Sequence, residues 1–151
     1  MKKLILSALV AMALVACQEK EDSVQIKEAI VIHQDMKAVH VELNGMLDIQ
    51  YERYEAFVEM VQASGDSGTM AALANAGSVI QGLQSDLTAW DNELVEIPGY
   101  CFHEEGTAHE HDHAEEARLA KLSDQEILDI QKELDIKLKE IEVKVRSLEQ
   151  K

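Results

Sequence analysis

The sequence predicts an all-α protein, an antiparallel three-helix bundle with one long loop rich in histidine and acidic residues. Three stretches repeat apolar residues at a spacing of three and four, which places those residues on one face of a helix. The chain has a single proline, and aromatic residues make up only 4% of it. The connections between the stretches are short or moderate, which favours an up-down-up order.

The chain begins with a segment, residues 1–16, that has the organisation of a signal peptide. Lys2 and Lys3 precede an apolar run from Leu4 to Val15, which is shorter than the roughly 20 residues that a membrane-spanning helix needs. The run ends in Leu14-Val15-Ala16-Cys17, which resembles the lipobox of bacterial lipoproteins. An ordinary secretory signal cleaved nearby is the alternative.

The resemblance implies that Cys17 carries the lipid and that residues 17–23 are a short linker. In lipoproteins of this kind, a residue other than aspartate after the cysteine usually permits sorting to the outer membrane, and Gln18 fits that rule. Several acyl chains give stable attachment. We therefore predict a chain that is lipid-anchored in the bacterial cell envelope, at the outer membrane and facing the periplasm.

The charge of the chain excludes one class of partner. Its formal net charge is −15, and it becomes −17 without the first 16 residues, which hold two lysines and no acid. Affinity for nucleic acids comes from Lys and Arg contacts to phosphates, so nucleic acid is not an expected partner. About 135 mature residues make one domain, which we place at residues 24–151.

The first helix is predicted over about residues 24–62, after the capping side chains of Asp22 and Ser23. Asn44-Gly45 weakens its middle. Either the helix is continuous and overhangs its neighbours, or it breaks near Gly45 and a fourth, short helix results. The apolar stripe consists of Ala29, Ile32, Met36, Val39, Leu43, Met46, Phe57 and Val61.

The second helix is predicted over about residues 70–95, after a loop of Ser, Gly and Asp at residues 64–68. Its Ala-rich first half is thin, so a neighbouring helix could approach closely. Ile97-Pro98-Gly99 ends it. The apolar stripe consists of Leu73, Ala76, Ile80, Leu83, Leu87, Trp90 and Leu94.

The third helix is predicted to start after Ser123, which has the capping-box spacing to Glu126. Apolar residues from Ile127 to Leu148 follow the helical period, although part of this stretch also alternates as a strand would. The absence of Gly and Pro favours a helix. Ile136 and Val143 are then expected to widen the buried face.

Residues 96–122 carry the chemistry that stands out most. They contain four of the six histidines and one of the two cysteines. Thiolate and imidazole are ligands of Zn²⁺, Cu and Ni²⁺, and the surrounding carboxylates raise the local concentration of cations. The alternative is an acidic loop whose histidines only titrate near neutral pH. The predicted metal ligands are Cys101, His103, His109, His111 and His113.

A second, weaker candidate for a metal site lies on the first helix. His33, Met36 and His40 fall within about 60° of one another around the helix axis, and His and Met suit copper. The competing interpretation is that these residues flank the apolar stripe and that Met36 is buried. No nucleophile and base can be paired in the sequence, so an enzyme is not predicted.

The leader, the segment Ile32-His33-Gln34-Asp35-Met36, the Trp90 helix and the closing helix together resemble small helical bacterial lipoproteins of unassigned function. These are often labelled "viral A-type inclusion protein", and in them a His-Asp-x-x-Met run occurs where Gln34 intervenes here. A weaker resemblance is to Spy-type periplasmic chaperones, whose Leu-Thr-x-x-Gln motif is matched only in part by residues 122–126. The first resemblance implies helices and an envelope location, and no catalytic residues.

Two functions follow as hypotheses. The first is a non-enzymatic interaction module that engages an envelope protein and also binds transition-metal ions through residues 101–113. The alternative is a dedicated periplasmic metal buffer or delivery protein, or a metal-responsive Spy-like chaperone. The partner protein and the oligomeric state are not determined by the sequence.

Overall fold

The structure is a computed structural model that describes residues 22–100 and 118–150. Three long helices form the fold: α1 (Val24–Ser64), α2 (Ser67–Glu93) and α3 (Asp124–Arg146). A 3-10 turn, Ser147–Gln150, follows α3, and the described ranges contain no strand. The predicted all-α three-helix bundle is confirmed, and α3 is a helix rather than a strand.

Helix α1 is continuous over 41 residues, which corresponds to about 60 Å at 1.5 Å per residue. The hydroxyl of Ser23 caps its start by accepting a hydrogen bond from the backbone N–H of Ile26 at 3.2 Å. The helix does not break at Gly45, because Leu43 and Leu47 on either side are fully buried in the core. Their packing outweighs the roughly 1 kcal/mol that a glycine costs inside a helix.

The connection between α1 and α2 is tighter than the sequence predicted. Gly65 has φ 73°, and its N–H bonds to the carbonyl of Gln62, as is common at helix ends. Asp66 then caps α2 by accepting from the N–H groups of Gly68 and Thr69, both at 3.1 Å. Because this cap uses Gly68 and Thr69 as helical residues, α2 begins at Ser67 and the predicted five-residue loop is shortened.

The cap at Asp66 gives a pH-dependent contribution to stability. Hydrogen bonds from the Thr69 hydroxyl, then from the N–H groups of Thr69 and Gly68, lower the pKa of this carboxyl below its ordinary value. A lowered pKa in the folded chain means that the contribution is present at neutral pH and disappears as the pH falls through that pKa.

We therefore expect Asp66→Asn to lower the melting temperature at pH 7, and the difference from wild type to vanish on acidification to about pH 2. Thermal denaturation between these pH values measures it. Thr69→Val removes the largest cause of the shift, so its loss of stability should begin at a higher pH than in the wild type. A difference between wild type and Asp66→Asn that stays constant over this range would contradict the assignment.

The buried side of α2 differs from the predicted stripe at one point. Leu73, Ile80, Leu83, Leu87 and Trp90 are buried as predicted, whereas Ala76 is exposed and Gly77 is buried in its place. A Cβ on Gly77 would lie only 2.5 Å from Cζ and Oη of Tyr54. A side chain at position 77 would therefore displace the ring of Tyr54 on α1, which lies against α2 at this point.

The helices run up, down and up. Near the start of α1, Glu28 pairs with Lys132 at 2.7 Å, and further along, Glu42 pairs with Arg146 at 3.0 Å, so α1 and α3 are parallel. Helix α2 is antiparallel to both. The main core cluster lies between the three helices and is built around Leu43, Leu47, Leu87, Leu138 and Val145.

The expectation that Ile136 and Val143 widen the buried face of α3 is wrong. Their exposed fractions are 59% and 71%. Helix α3 lies in the groove between α1 and α2, so one face of it, including Leu134, Leu138 and Ile141, contacts both neighbours. A second buried face is therefore not needed.

Helix α3 ends well before the α1–α2 connection. Its last residue, Arg146, lies beside Met46, with 3.9 Å between Nη1 and Sδ. Beyond that level, residues 51–64 of α1 and 67–80 of α2 continue as a two-helix hairpin, which we call the overhang. Of the two arrangements considered for the first helix, the structure has the overhang.

Candidate functional site

The chain that leaves α2 is fixed to the bundle before it enters the histidine-rich segment. Ile97 is buried in a second apolar cluster together with Ile26, Ala29, Ile127 and Leu128. Pro98 and Gly99 then form a turn that is closed by a 3.0 Å hydrogen bond from the N–H of Tyr100 to the carbonyl of Ile97. Gly99 has φ 84°, which suits the third position of a type II turn.

The histidine-rich segment leaves the bundle and returns to it at the same end. Tyr100 hydrogen-bonds Asp22, just before α1, and this contact raises the pKa of the tyrosine. On the returning side Leu119 is buried. Asp22, Tyr100 and Leu119 all line one cavity of about 300 Å³. Both stems of the segment 101–117 therefore lie beside the first residues of α1.

A buried polar network lies between the two apolar clusters, where α1, α3 and the chain after α2 meet. His33 and Gln131 are both fully buried. The ring nitrogen Nδ1 of His33 lies 3.1 Å from Oε1 of Gln131. The amide nitrogen of Gln131 donates to the carbonyl of Val95 at 2.8 Å. One glutamine thus joins all three segments.

The network fixes the proton on Nδ1 of His33. Because the Gln131 amide nitrogen faces Val95, its oxygen faces the histidine and can only accept, so Nδ1 carries hydrogen. The other ring nitrogen, Nε2, lies 3.5 Å from Oε2 of Glu96. A second proton on the ring would turn that contact into an ion pair. The contacts to Val95 and Glu96 fix the position of the chain that leaves α2 and leads to the histidine-rich segment.

The remaining members of the candidate on α1 have separate surroundings. Met36 is buried in the main core cluster. The ring of His40 packs against Trp90 at a tilt of 42° with ring centroids 5.3 Å apart, and its Nε2 lies 3.0 Å from the amide nitrogen of Asn44. Its Nδ1 is 3.7 Å from Asp91. Among the residues that the structure describes, no three His, Cys, Asp or Glu side chains group as metal ligands.

The other predicted site residues cannot be placed. Cys17, which the sequence assigns to lipidation, lies outside the described residues, and so do the loop ligands Cys101, His103, His109, His111 and His113. None of the helices in ranges 22–100 and 118–150 is both long and apolar enough to cross a membrane.

The overhang presents an apolar groove that sequence analysis did not identify. Phe57 follows Val39 by 18 residues, five whole turns, so both residues point to the same side of α1. Val39 lines the contact between α1 and α3. Phe57 therefore lies on the side that α3 covers lower in the bundle, yet its exposed fraction is 44% and that of Met60 is 59%.

Helix α2 contributes the opposite wall of the groove, with residues on the side that faces α3 lower in the bundle. Trp90 faces α3, since its Nε1 donates to the carbonyl of Leu134 at 2.9 Å. Ala72 precedes Trp90 by five whole turns, and Val79 lies within about 20° of the same direction. Ala72 is exposed, and Val79 is 44% exposed. We call the surface formed by Phe57, Met60, Ala72 and Val79 the open groove.

On the surface formed by α1 and α2, the part that α3 covers and the overhang differ in charge. Where α3 lies, acids on α1 and α2 pair with bases on α3, as in Asp86–Lys144 at 3.6 Å and Glu93–Lys137 at 3.1 Å. Residues 67–85 of α2, by contrast, contain no charged residue. The acids of the overhang on α1, at positions 52, 55 and 59, lie about 140–160° around the helix from Phe57.

No known protein family, curated protein or solved structure matches this chain.

Two features were missed in the sequence analysis. Gln131 was one of them, although a lone polar residue in the apolar stripe between Ile127 and Leu134 is a signal for a buried hydrogen bond. The open groove was missed because Phe57 follows the period of a buried residue.

Proposed function

We propose that the chain is a lipid-anchored interaction module of the bacterial cell envelope, and that the open groove is its interaction surface. The observation that carries the proposal is that α3 ends beside Met46, so that within the described ranges Phe57, Met60 and Val79 stay exposed. Exposed apolar surface of this kind, bordered by polar residues, is typical of protein contact sites. The function needs no catalytic group.

The geometry of α1 supports this function. Helix α1 starts seven residues after Cys17, so a lipid on Cys17 would hold its first turn near the membrane. The overhang lies at the other end, about 40–60 Å along the helix. A continuous α1 would therefore place the open groove far along the helix from the anchored end, where another protein can reach it.

Photo-cross-linking in cells tests the proposal. A benzoylphenylalanine at position 57, in the open groove, is expected to give cross-linked species, whereas the same group at position 41 on another side of α1 should give none. Val41 is 71% exposed, which makes it a matched site. Cys17→Ser should move the chain from the membrane fraction to the soluble fraction. Cross-links of equal yield at both positions, or unchanged fractionation, would contradict the corresponding part of the proposal.

A second function, transition-metal binding by the histidine-rich segment, has its own support. Tyr100 and Leu119, which flank the segment on its two sides, border one cavity and so lie close together. Closing a loop that is pinned in this way costs less entropy than closing a free chain. Cys101, His103, His109, His111 and His113 would supply thiolate and imidazole ligands for Zn²⁺, Cu²⁺ or Ni²⁺.

Titration calorimetry with Zn²⁺, Cu²⁺ and Ni²⁺ tests this second function. The mature chain is expected to bind one of these ions with micromolar or better affinity, and replacement of His109, His111 and His113 by Ala should abolish that binding. Replacement of His33 and His40 by Ala is the control for the weaker candidate on α1. Equal heats from the wild type and the loop variant would exclude the loop as the binding site.

A further inference from the structure

We propose that the partner in the open groove is a second copy of this chain, and that two overhangs join in antiparallel fashion into a four-helix bundle. The inference rests on the proposed function of the groove as an interaction surface and names its occupant. It follows from three features. The first is the step, the drop in thickness of the molecule where α3 ends. The others are the charge of the overhang and the continuity of the open groove with the surface of α1 and α2 that α3 covers.

The steps of two copies of the chain fit each other. Below the step the molecule is two layers thick, because α3 lies on α1 and α2. Above it the described residues form one layer, that of α1 and α2. An antiparallel second copy would place its overhang on the open groove with its tip near the end of α3. Its own α3 would then lie beyond the tip of the first copy. A parallel arrangement would instead bring the two α3 helices into collision.

The charges favour the same occupant. A chain with a net charge of −15 repels itself over most of its surface. Residues 67–85 carry no charge, and the acids of the α1 overhang lie on the far side of that helix from Phe57. Two open grooves can therefore meet without placing acids of one copy against acids of the other, and the one charged side chain of the α1 overhang on the groove side, Arg53, about 40° from Phe57, is basic. The groove also lacks the acidic rim that pairs with the basic residues of α3.

The size of the surface predicts a weak dimer. Each overhang has 14 residues per helix, so the joint is about 21 Å long. With two helices side by side, the projected contact is roughly 400 Å² per copy, which is about half of a standard specific interface and fits a weak, transient contact. We therefore expect dimers that form only at high protein concentration. In the joined pair the two Val24 ends lie about 100 Å apart and point in opposite directions, so two chains anchored in one membrane would form it with both bundles lying along the membrane surface.

Sedimentation equilibrium of the full chain, purified from membranes in a density-matched detergent, tests the proposal. The wild type is expected to be a monomer–dimer mixture that shifts to dimer with concentration. Val79→Glu and Met60→Glu place a carboxylate in the groove of both copies, and each should raise the dissociation constant at least tenfold. Val41→Glu is the matched control, because it adds the same charge outside the groove, and it should leave the constant unchanged.

Circular dichroism shows whether each variant is folded, which is expected because both groove residues are partly exposed. A wild type that stays monomeric at concentrations on the order of 100 µM would overturn the proposal. So would a dimer that both groove variants leave intact. Cross-links from position 57 to a different envelope protein, together with a monomeric chain, would overturn the second copy as occupant and leave the interaction function standing.

Discussion

Trp90→Ala is expected to lower the free energy of unfolding by about 3–5 kcal/mol, the usual cost of removing a buried aromatic side chain. Trp90 is 3% exposed and belongs to the main core cluster. Its indole N–H bonds the carbonyl of Leu134 on α3, and its ring packs against His40 of α1. The side chain therefore joins all three helices at one level, and its loss leaves a cavity between them.

Trp90→Phe separates the two contributions. It keeps an apolar ring but removes the N–H donor, so its cost should be clearly smaller than that of Trp90→Ala. Urea denaturation followed by circular dichroism measures both variants, since the chain has only one tryptophan and fluorescence is lost with it. A loss below about 1 kcal/mol for Trp90→Ala would show that Trp90 is not part of the cooperative core.

Gln131→Leu is expected to cost about 2–4 kcal/mol although it replaces a polar residue in the core by an apolar one of similar size. The variant would remove the acceptor from Nδ1 of His33 and the donor from the carbonyl of Val95. Leaving buried polar groups without these bonds costs more than the added apolar contacts return. The chain from residue 95 to 97 should also become less firmly held.

Two comparisons make this prediction specific. Gln125→Leu is the matched control on the same helix, because Gln125 is exposed and its amide nitrogen donates to Asp129 at 2.8 Å on the surface of the bundle. Its effect should stay within about 0.5 kcal/mol. In a double-mutant cycle, His33→Leu and Gln131→Leu together should cost less than the sum of the two single losses, by about 1–2 kcal/mol. Additive losses would show that the two side chains do not interact.

The secondary structure of this chain was accessible from local patterns. The starts of α1 and α3 depend on the side chains of Ser23 and Ser123, and both caps are present as predicted. The buried positions of α2 from Leu83 to Trp90 follow from the helical period alone. Such features are set by neighbours within one or two turns, and a single sequence contains them.

Features that depend on the relative lengths and positions of helices were not accessible in the same way. Phe57 obeys the period of a buried residue, but it is exposed because α3 ends before reaching it. His33 and Gln131 are 98 positions apart in the chain, and only the parallel packing of α1 and α3 brings them together. Ile136 and Val143 fit an apolar face that no neighbouring helix covers.

The overhang also divides the chain into regions of unequal cooperativity. Around Leu87 each helix packs against two others, so the backbone there opens only when the whole core unfolds. Between residues 55 and 79, outside the main core cluster, each of these two helices has only the other as a neighbour among the described residues, and local opening can start at the Gly65 turn and travel down the hairpin without disturbing α3. Among the three long helices, the overhang is therefore expected to have the lowest local stability, and filling the open groove should slow hydrogen exchange there.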